Sequence, residues 1–431
     1  MTAPPSPGVT RAIAEATAGK AAAVAPARLE SLDAFRGLIM LMMASAGFAL
    51  SDVAKELSKQ GKSNAVLNFI GLEFNHAKWA GCTLWDLIQP SFMFMVGVAL
   101  PWSIANRRAR GQSIGEMAFH ALLRAIALVL LSVFLQSYGQ HEMDWTFPNV
   151  LAQIGLAYPF LFLVSFAKPR TQWAVAFGIL LVYWLWFAFY PLPSAGFDYS
   201  TVWVTPDWRK EFELSGFAAH WNKGTNPAAA FDRWFLNLLP RPRSYDANGL
   251  VHFKPYLFNN GGYQTLNFVP SLATMIFGVL AGQVLRSMID LREKLLRLVV
   301  AGLIGIALGA ALHFSGVSPM VKPIWTPSFA IYSTGWVLLM LSAFVAIMEL
   351  KGWKRWAFPL VVAGLNPITL YCMWQVVVGG FVKENFRIHF GNNIFQSFGP
   401  LYEQSLQRAA HLLVMWLILW WMYRRKIFIR I

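Results

Sequence analysis

Residues 297–315 read RLVVAGLIGIALGAALHFS, and from Leu298 to Leu312 no side chain is polar. A hydrocarbon core about 30 Å thick takes roughly 20 apolar residues per helix, so this stretch has the make-up of a membrane span. Similar runs recur along the chain, at about 32–50, 83–103, 117–137, 149–167, 172–190, 265–286, 297–315, 329–349, 356–380 and 405–423. Composition agrees: of 431 residues, 56% are hydrophobic and 13% charged, where a soluble domain carries about 25% charged. A water-soluble globule and a disordered chain are therefore excluded. With only Cys82 and Cys372, a disulfide scaffold is excluded as well. The expected fold is an all-α polytopic membrane protein of about ten transmembrane helices.

The 36 Lys and Arg against 21 Asp and Glu give a net charge of +15. No basic stripe interleaved with stacking aromatics appears, so nucleic acid is not an expected partner. The cations instead cluster between apolar runs, as in a chain that encodes orientation through its loops. Residues 1–27, rich in Ala and Pro, read as a flexible cytoplasmic tail with no signal-peptide core; residues 28–431 form the membrane domain. With the tail inside, Arg107, Arg108, Arg110, Lys168, Arg170, Arg286 through Arg297, Lys351 through Arg355 and Arg424 through Lys426 all fall on the cytoplasmic side. That side then collects 21 Lys and Arg against 15 outside, seven of the latter in one long loop. Long loops scarcely count in this rule, which sets both termini in the cytoplasm. The long extracytoplasmic loop, about 191–263, carries Trp203, Trp208, Trp221 and Trp234. Loops beyond about 12–15 residues are functional or disordered. Its aromatics suit an ordered cap that stacks on sugar rings, or an interfacial belt.

Few residues have the makings of chemistry. Eight histidines occur without H-x-x-x-H or other ligand spacing, so no metal is expected. His76 stands in Asn75-His76-Ala77-Lys78-Trp79-Ala80-Gly81-Cys82-Thr83-Leu84-Trp85-Asp86, just before the second span and at its outer end. Asp86 lies inside the apolar run, where an ionisable group is costly unless paired and is a functional candidate. On a continuous helix the two would stand about 15 Å apart, on different faces; a bend at Gly81 would be needed to join them. His76 alone also fits an interfacial histidine. At the start of the first span, Asp33 and Arg36 can pair at i,i+3, or Arg36 can hold a phosphate. Lys322-Pro323-Ile324-Trp325-Thr326-Pro327 and Gly364-Leu365-Asn366-Pro367 interrupt regular helices, which is tolerated where the freed backbone is buried or lines a cavity; a packing kink at Pro367 is the plainer reading.

Ser31-Leu32-Asp33-Ala34-Phe35-Arg36-Gly37, then His76-Ala77-x-Trp79-x-Gly81-x-Thr83-x-x-Asp86-Leu87-x-x-Pro90-x-Phe92-x-Phe94-x-x-Gly97, resemble the heparan-alpha-glucosaminide N-acetyltransferase family of transmembrane acyltransferases, as a bacterial-type member. Val150 through Tyr158, Leu272-Ala273-Thr274 with Gly278, Lys322-Pro323-x-Trp325-Thr326-x-Ser328 and Gly364-x-Asn366 extend the resemblance over most of the membrane domain. The chain departs from the pattern at Met42-Met43-Ala44-Ser45-Ala46-Gly47, where many members carry Asn. The resemblance implies an enzyme that passes an acetyl group from cytoplasmic acetyl-CoA to an amino sugar of glucosamine type, alone or within a glycan, across the membrane. Its histidine maps to His76.

Neutral imidazole, with an ordinary pKa of about 6.5, suits a general base on an attacking amine, or a nucleophile forming an acetyl-imidazole. Asp86 would support it, and Asn75, or backbone N–H groups at the broken helices, would stabilise the oxyanion. Arg36, Arg107, Arg108, Arg110 and Arg124 are candidates for the CoA phosphates, or plain determinants of orientation. Trp79, Lys322, Trp325 and Asn366 are candidates for the acceptor site. The expected setting is a bacterial inner membrane, with acetyl-CoA, the acceptor and the bilayer as partners and a second copy as a candidate one. Two other functions compete. A secondary transporter of a small polar or sugar solute would use Asp86 and the broken helices and should show inverted repeats. A non-catalytic glycan-binding protein would use the aromatic loop.

Overall fold

The computed structural model describes residues 29–245, 251–376 and 378–429; the expected tail, 1–27, lies outside them. Among the described residues the regular structure is helical but for one short ribbon. Among the described residues, seven helical stretches are long and apolar enough to cross a membrane: Glu30–Lys59, Leu84–Ala109, Ile114–Ser137, Pro169–Ala188, Thr265–Arg286, Leu291–Phe314 and Pro327–Leu350. An eighth, Arg355–Leu365 with Pro367–Val376, is bent by 70° at Asn366, where Pro367 cannot supply a backbone N–H. Two further helices match expected segments without meeting both criteria: Val150–Val164 is short, and Glu403–Arg424 carries more polar side chains.

The elements are α1 (Glu30–Ser45), α2 (Leu50–Lys59), α3 (Ala65–Glu73), α4 (Ile88–Ala109), α5 (Ile114–Ser137), α6 (Val150–Val164) and α7 (Pro169–Ala188). After them come α8 (Pro206–Phe212), α9 (Pro227–Phe235), β1 (Arg243–Tyr245) and β2 (Val251–Phe253). The chain continues with α10 (Phe268–Arg286), α11 (Leu291–Phe314), α12 (Pro327–Val345), α13 (Phe358–Leu365), α14 (Pro367–Val376), α15 (Val378–Phe390) and α16 (Glu403–Arg424). Helix α1 ends abruptly. Ala46, Gly47, Phe48 and Ala49 all have positive φ, between 43° and 62°, a left-handed turn that costs L-residues roughly 1–2 kcal/mol each. Ser45 Oγ accepts from the Gly47 N–H at 3.2 Å, and Arg408 on α16 donates to the Ala46 carbonyl at 2.9 Å.

Lipid tails give apolar helices no hydrophobic reason to associate, so close packing through small residues does that work. A Cβ on Gly97 of α4 would stand 1.9 Å from the Met275 carbonyl oxygen of α10, and one on Gly278 of α10 2.1 Å from that of Phe94. Gly37 and Gly364 bring α1 and α13 together in the same way, 1.7 Å from the Leu360 oxygen and 1.9 Å from that of Asp33. Helix α10 is the axis of the bundle, with Leu272 through Gly282 buried. Helix α11 lies at the rim, with Leu296, Leu303 and Ile304 exposed as lipid-facing side chains would be.

The segment after α7 is folded rather than loose. Trp221, wholly buried, stacks on Phe187 of α7 with ring planes 12° apart, and Trp79, Tyr183, Ala228, Val321 and Ile324 complete that apolar cluster. Antiparallel β1 and β2 pair Arg243 with Phe253. Of the Trp side chains, Trp203 and Trp234 are exposed while Trp221 is buried. Asp232 of α9 is buried; its Oδ2 accepts from the Thr265 N–H at 2.9 Å, and its Oδ1 meets no partner among the described residues. Burial pushes its carboxyl up to about 7.

Gly97→Ala should cost about 1–3 kcal/mol through overpacking and lower the thermal midpoint in detergent. Gly178→Ala, where nothing lies within 4 Å, should leave it level or slightly higher; equal midpoints would remove glycine contact as the reason α4 and α10 adhere. The Asp232 value gives a second expectation. A carboxyl raised in the folded state stabilises fully below its unfolded value, about 3.9, and that contribution is lost as pH rises to about 7. Amide exchange around Thr265 should quicken between about pH 4 and 7 beyond the intrinsic rate. Asp232→Asn should abolish that increment; an increment unchanged in the variant assigns it elsewhere.

Candidate active site

The chain between Phe74 and Thr83 is irregular, and this is what unites His76 with Asp86. Gly81 takes φ +121° and its N–H bonds the Met320 carbonyl at 2.8 Å. Ala80 forms an isolated antiparallel bridge with Val321. The bend needed at Gly81 is present, and the 15 Å helical separation is replaced by contact: His76 Nδ1 lies 2.7 Å from Asp86 Oδ1.

Asp86 is 1% exposed and pinned on all sides. It is the third residue of the turn Leu84–Leu87, in a capping box with Thr83. Its Oδ2 accepts from the N–H groups of Ala77 at 3.0 Å and Thr83 at 3.1 Å. The Thr83 hydroxyl donates to the Asn75 carbonyl at 2.6 Å and sits 3.1 Å from Oδ2. Glu73 Oε2 accepts from the Leu84 N–H at 2.7 Å. Lys322, buried at 5% exposure, places Nζ 3.2 Å from Asp86 Oδ1 and 3.1 Å from His76 Nδ1.

These distances choose the tautomer. Asp86 Oδ1 can only accept, so Nδ1 at 2.7 Å carries the proton. Lys322 is also a donor only, and its partner is then Asp86 rather than the ring. In the neutral ring Nε2 is then the nitrogen that keeps its lone pair, on a side chain 48% exposed. Asn75 Oδ1 accepts from the His76 N–H at 3.1 Å, leaving its amide NH₂ to donate.

The other expected residues disperse. Lys322, expected in an acceptor site, belongs to the His76–Asp86 cluster. Trp79 is buried behind it, its indole N–H donating to the Trp221 carbonyl at 3.2 Å. Trp325 is wholly buried, bonded to Thr274 Oγ1 at 3.3 Å and edge-on to Phe329, so it packs rather than faces a cavity. Asn366 donates to the Ile427 carbonyl at 3.0 Å and accepts from the Ile429 N–H at 2.9 Å; it staples the final segment and is not brought to His76.

Arg107 and Arg124 share a cavity of about 290 Å³ with His120 and Tyr158, at the far end of α4. Arg124 lies over the Tyr158 ring at 4.8 Å and donates to its hydroxyl at 3.3 Å, while its buried Nε meets no partner among the described residues. Arg36 instead pairs with Asp33 at 3.5 Å, and Arg108 lies over Phe166 at 5.3 Å; neither lines that cavity. Leu100 is among its lining residues, about 21 Å of helix from Asp86 at 1.5 Å per residue. Sequence reasoning missed the roles of Thr83, Glu73 and His120. Thr83-Leu84-Trp85-Asp86 is a legible capping box ahead of an apolar run; Glu73 and His120 carried no such signal. Among the described residues, no group of three or more His, Cys, Asp or Glu could hold a metal ion.

No family model matches the chain. It is 25% identical over 450 residues to heparan-alpha-glucosaminide N-acetyltransferase of Homo sapiens, covering 94% of this chain and 60% of that protein. It is 24% identical over 398 residues to the protein of the same name in Mus musculus, covering 83% and 54%. The chain thus spans little more than half the length of these two relatives, which are N-acetyltransferases by name.

Proposed function

We propose that this distant relative of membrane N-acetyltransferases is itself a transmembrane acetyltransferase, and that it moves an acetyl group from acetyl-CoA to the amine of an amino sugar or glycan. The observation that carries the reading is the His76–Asp86–Lys322 cluster, in which a buried carboxylate fixes a histidine with Nε2 unblocked. In this proposal the chain passes the membrane ten times with both termini in the cytoplasm. The bent pair, α6 and α16 supply the three passes beyond the seven apolar helices, and 191–263 lies outside.

Arg107, Arg124 and His120 then form the inner station, taking the phosphates of the donor as guanidinium groups do. The thioester is carried along α4 to the outer station. There the acceptor nitrogen attacks the carbonyl carbon while Nε2 takes its proton. The oxyanion is held by the Asn75 amide, the C–S bond breaks, and the imidazolium returns the proton to the departing sulfur. Amide and free thiol are the products, and the histidine ends neutral. Asp86 keeps the ring in the productive tautomer, and Lys322 balances its charge, so the cluster is neutral before and after turnover. Transfer through an acetyl-imidazole uses the same groups.

With the purified full chain, labelled acetyl-CoA and glucosamine, His76→Ala should lower the rate by roughly 10²–10⁴-fold; an undiminished rate would eliminate the role given to this residue. Label on the protein before acceptor is added would select the covalent route. Arg124→Met should raise KM for acetyl-CoA by roughly tenfold with kcat little changed, the signature of lost uniform binding. An unaltered KM would move the donor elsewhere.

A further inference from the structure

Lys322 stands on a piece of chain that cannot satisfy its own backbone. Lys322–Ile324 is one tight helical turn, and Trp325 after it takes φ +47°, so the turn ends before α12 begins. The residue four places beyond Pro323, where a helical donor to its carbonyl would stand, is Pro327, which has no N–H. A buried carbonyl left unpaired is costly, and side chains from two other helices take up the load. Asn267, directly ahead of α10 and 1% exposed, donates its amide to the Pro323 carbonyl at 2.6 Å. Its Oδ1 meets no partner among the described residues, so the side chain is buried for that bond. Tyr183 of α7, also buried, donates its hydroxyl to the Ile324 carbonyl at 3.0 Å.

Lys322 thus lies between two sets of ties. Before it, the chain is joined to the His76 loop by the Gly81 N–H on the Met320 carbonyl and by the Ala80–Val321 bridge. After it, Asn267 and Tyr183 join the turn to α10 and α7. The ammonium that results stands 3.2 Å from Asp86 Oδ1 and 3.1 Å from His76 Nδ1. Its charge opposes a second proton on the ring, while Asp86 favours one. The remaining titratable groups nearby are engaged apart from this turn. Glu73 accepts from the Leu84 N–H, burial keeps the Cys82 thiol protonated, and Lys78 is exposed. His313 of α11 accepts from the Met320 N–H at 3.2 Å, ahead of Lys322 rather than after it.

We propose that Asn267 and Tyr183 are positioning residues: by holding the carbonyls of Pro323 and Ile324 they keep Lys322 against Asp86, and so keep the His76 imidazole neutral and able to take a proton. What the neutral ring is used for rests on the acetyltransferase reading; the clamp on Lys322 does not. Without either donor the turn slackens and the ammonium draws back. Asp86 then faces the ring unopposed, the imidazole binds its second proton more tightly, and less of it is free base at a given pH.

The test is a double-mutant cycle on the full chain in detergent, with two readouts. The first is the proton affinity of the His76 ring, followed by NMR of histidine-labelled protein with His76→Gln to assign its signal. Asn267→Leu and Tyr183→Phe should each raise that affinity about threefold or more, and Lys322→Met at least as much. In a Lys322→Met background neither should raise it further, since residues that act through one another do not add. Tyr183→Phe removes a single oxygen and carries the test alone if Asn267→Leu does not fold. An unchanged affinity in Tyr183→Phe, or increments that add to that of Lys322→Met, overturns the positioning role. The second readout is acetyl transfer: in both variants the acid limb of kcat/KM should move to higher pH by the same factor of about three in proton concentration, with KM for acetyl-CoA unchanged. An active wild type whose profile is kept in both variants overturns the proposal. A wild type that transfers no acetyl group, beside the expected changes in His76 affinity, defeats the acetyltransferase reading and spares the clamp.

Discussion

One carboxylate organises the end of this molecule where His76 lies. Asp86, 1% exposed, would be ruinous in apolar surroundings without partners. Its two oxygens gather a histidine, a lysine and two backbone N–H groups. Each contact fixes a different piece of chain. The Ala77 and Thr83 amides close the irregular loop, Lys322 draws in the start of α12, and His76 is left with one nitrogen engaged and the other presented. Tautomer, orientation and charge balance of the imidazole all follow from where this acid sits.

Much of the fold was legible. Each of the ten apolar runs coincides with a helix or a bent pair, because bilayer thickness and backbone hydrogen bonding leave a chain few alternatives. The merit of seven of them as spans is plain from length and composition; the 15-residue α6, the kink at Asn366 and the polar start of α16 are where the pattern weakens. A run of apolar letters does not reveal the left-handed turn at Ala46–Ala49 either, since only Gly47 among them favours it.

The site was legible in part. His76 and Asp86 stand out as ionisable residues beside or within an apolar run, and Gly81 marks the bend. Lys322 was noticed, but not its place beside His76, because what puts it there is a backbone bridge between Ala80 and Val321, a long-range pairing with no local signature. Trp325 and Asn366 read as binding residues from their company in broken segments. In the structure Trp325 packs in the core with its indole N–H on the Thr274 hydroxyl, and Asn366 ties its amide to the backbone of the final segment.

The distance along the chain between His76 and Lys322, 246 residues, has a consequence for biosynthesis. At about 5–20 residues per second, a ribosome completes the first turn of α4 roughly tens of seconds before the lysine exists. Through that interval the nascent acid must survive in or near the translocon with local donors alone. The Thr83 box and the Ala77 amide are local, so the early half of the protein can shelter its own charge while waiting for the late half to arrive.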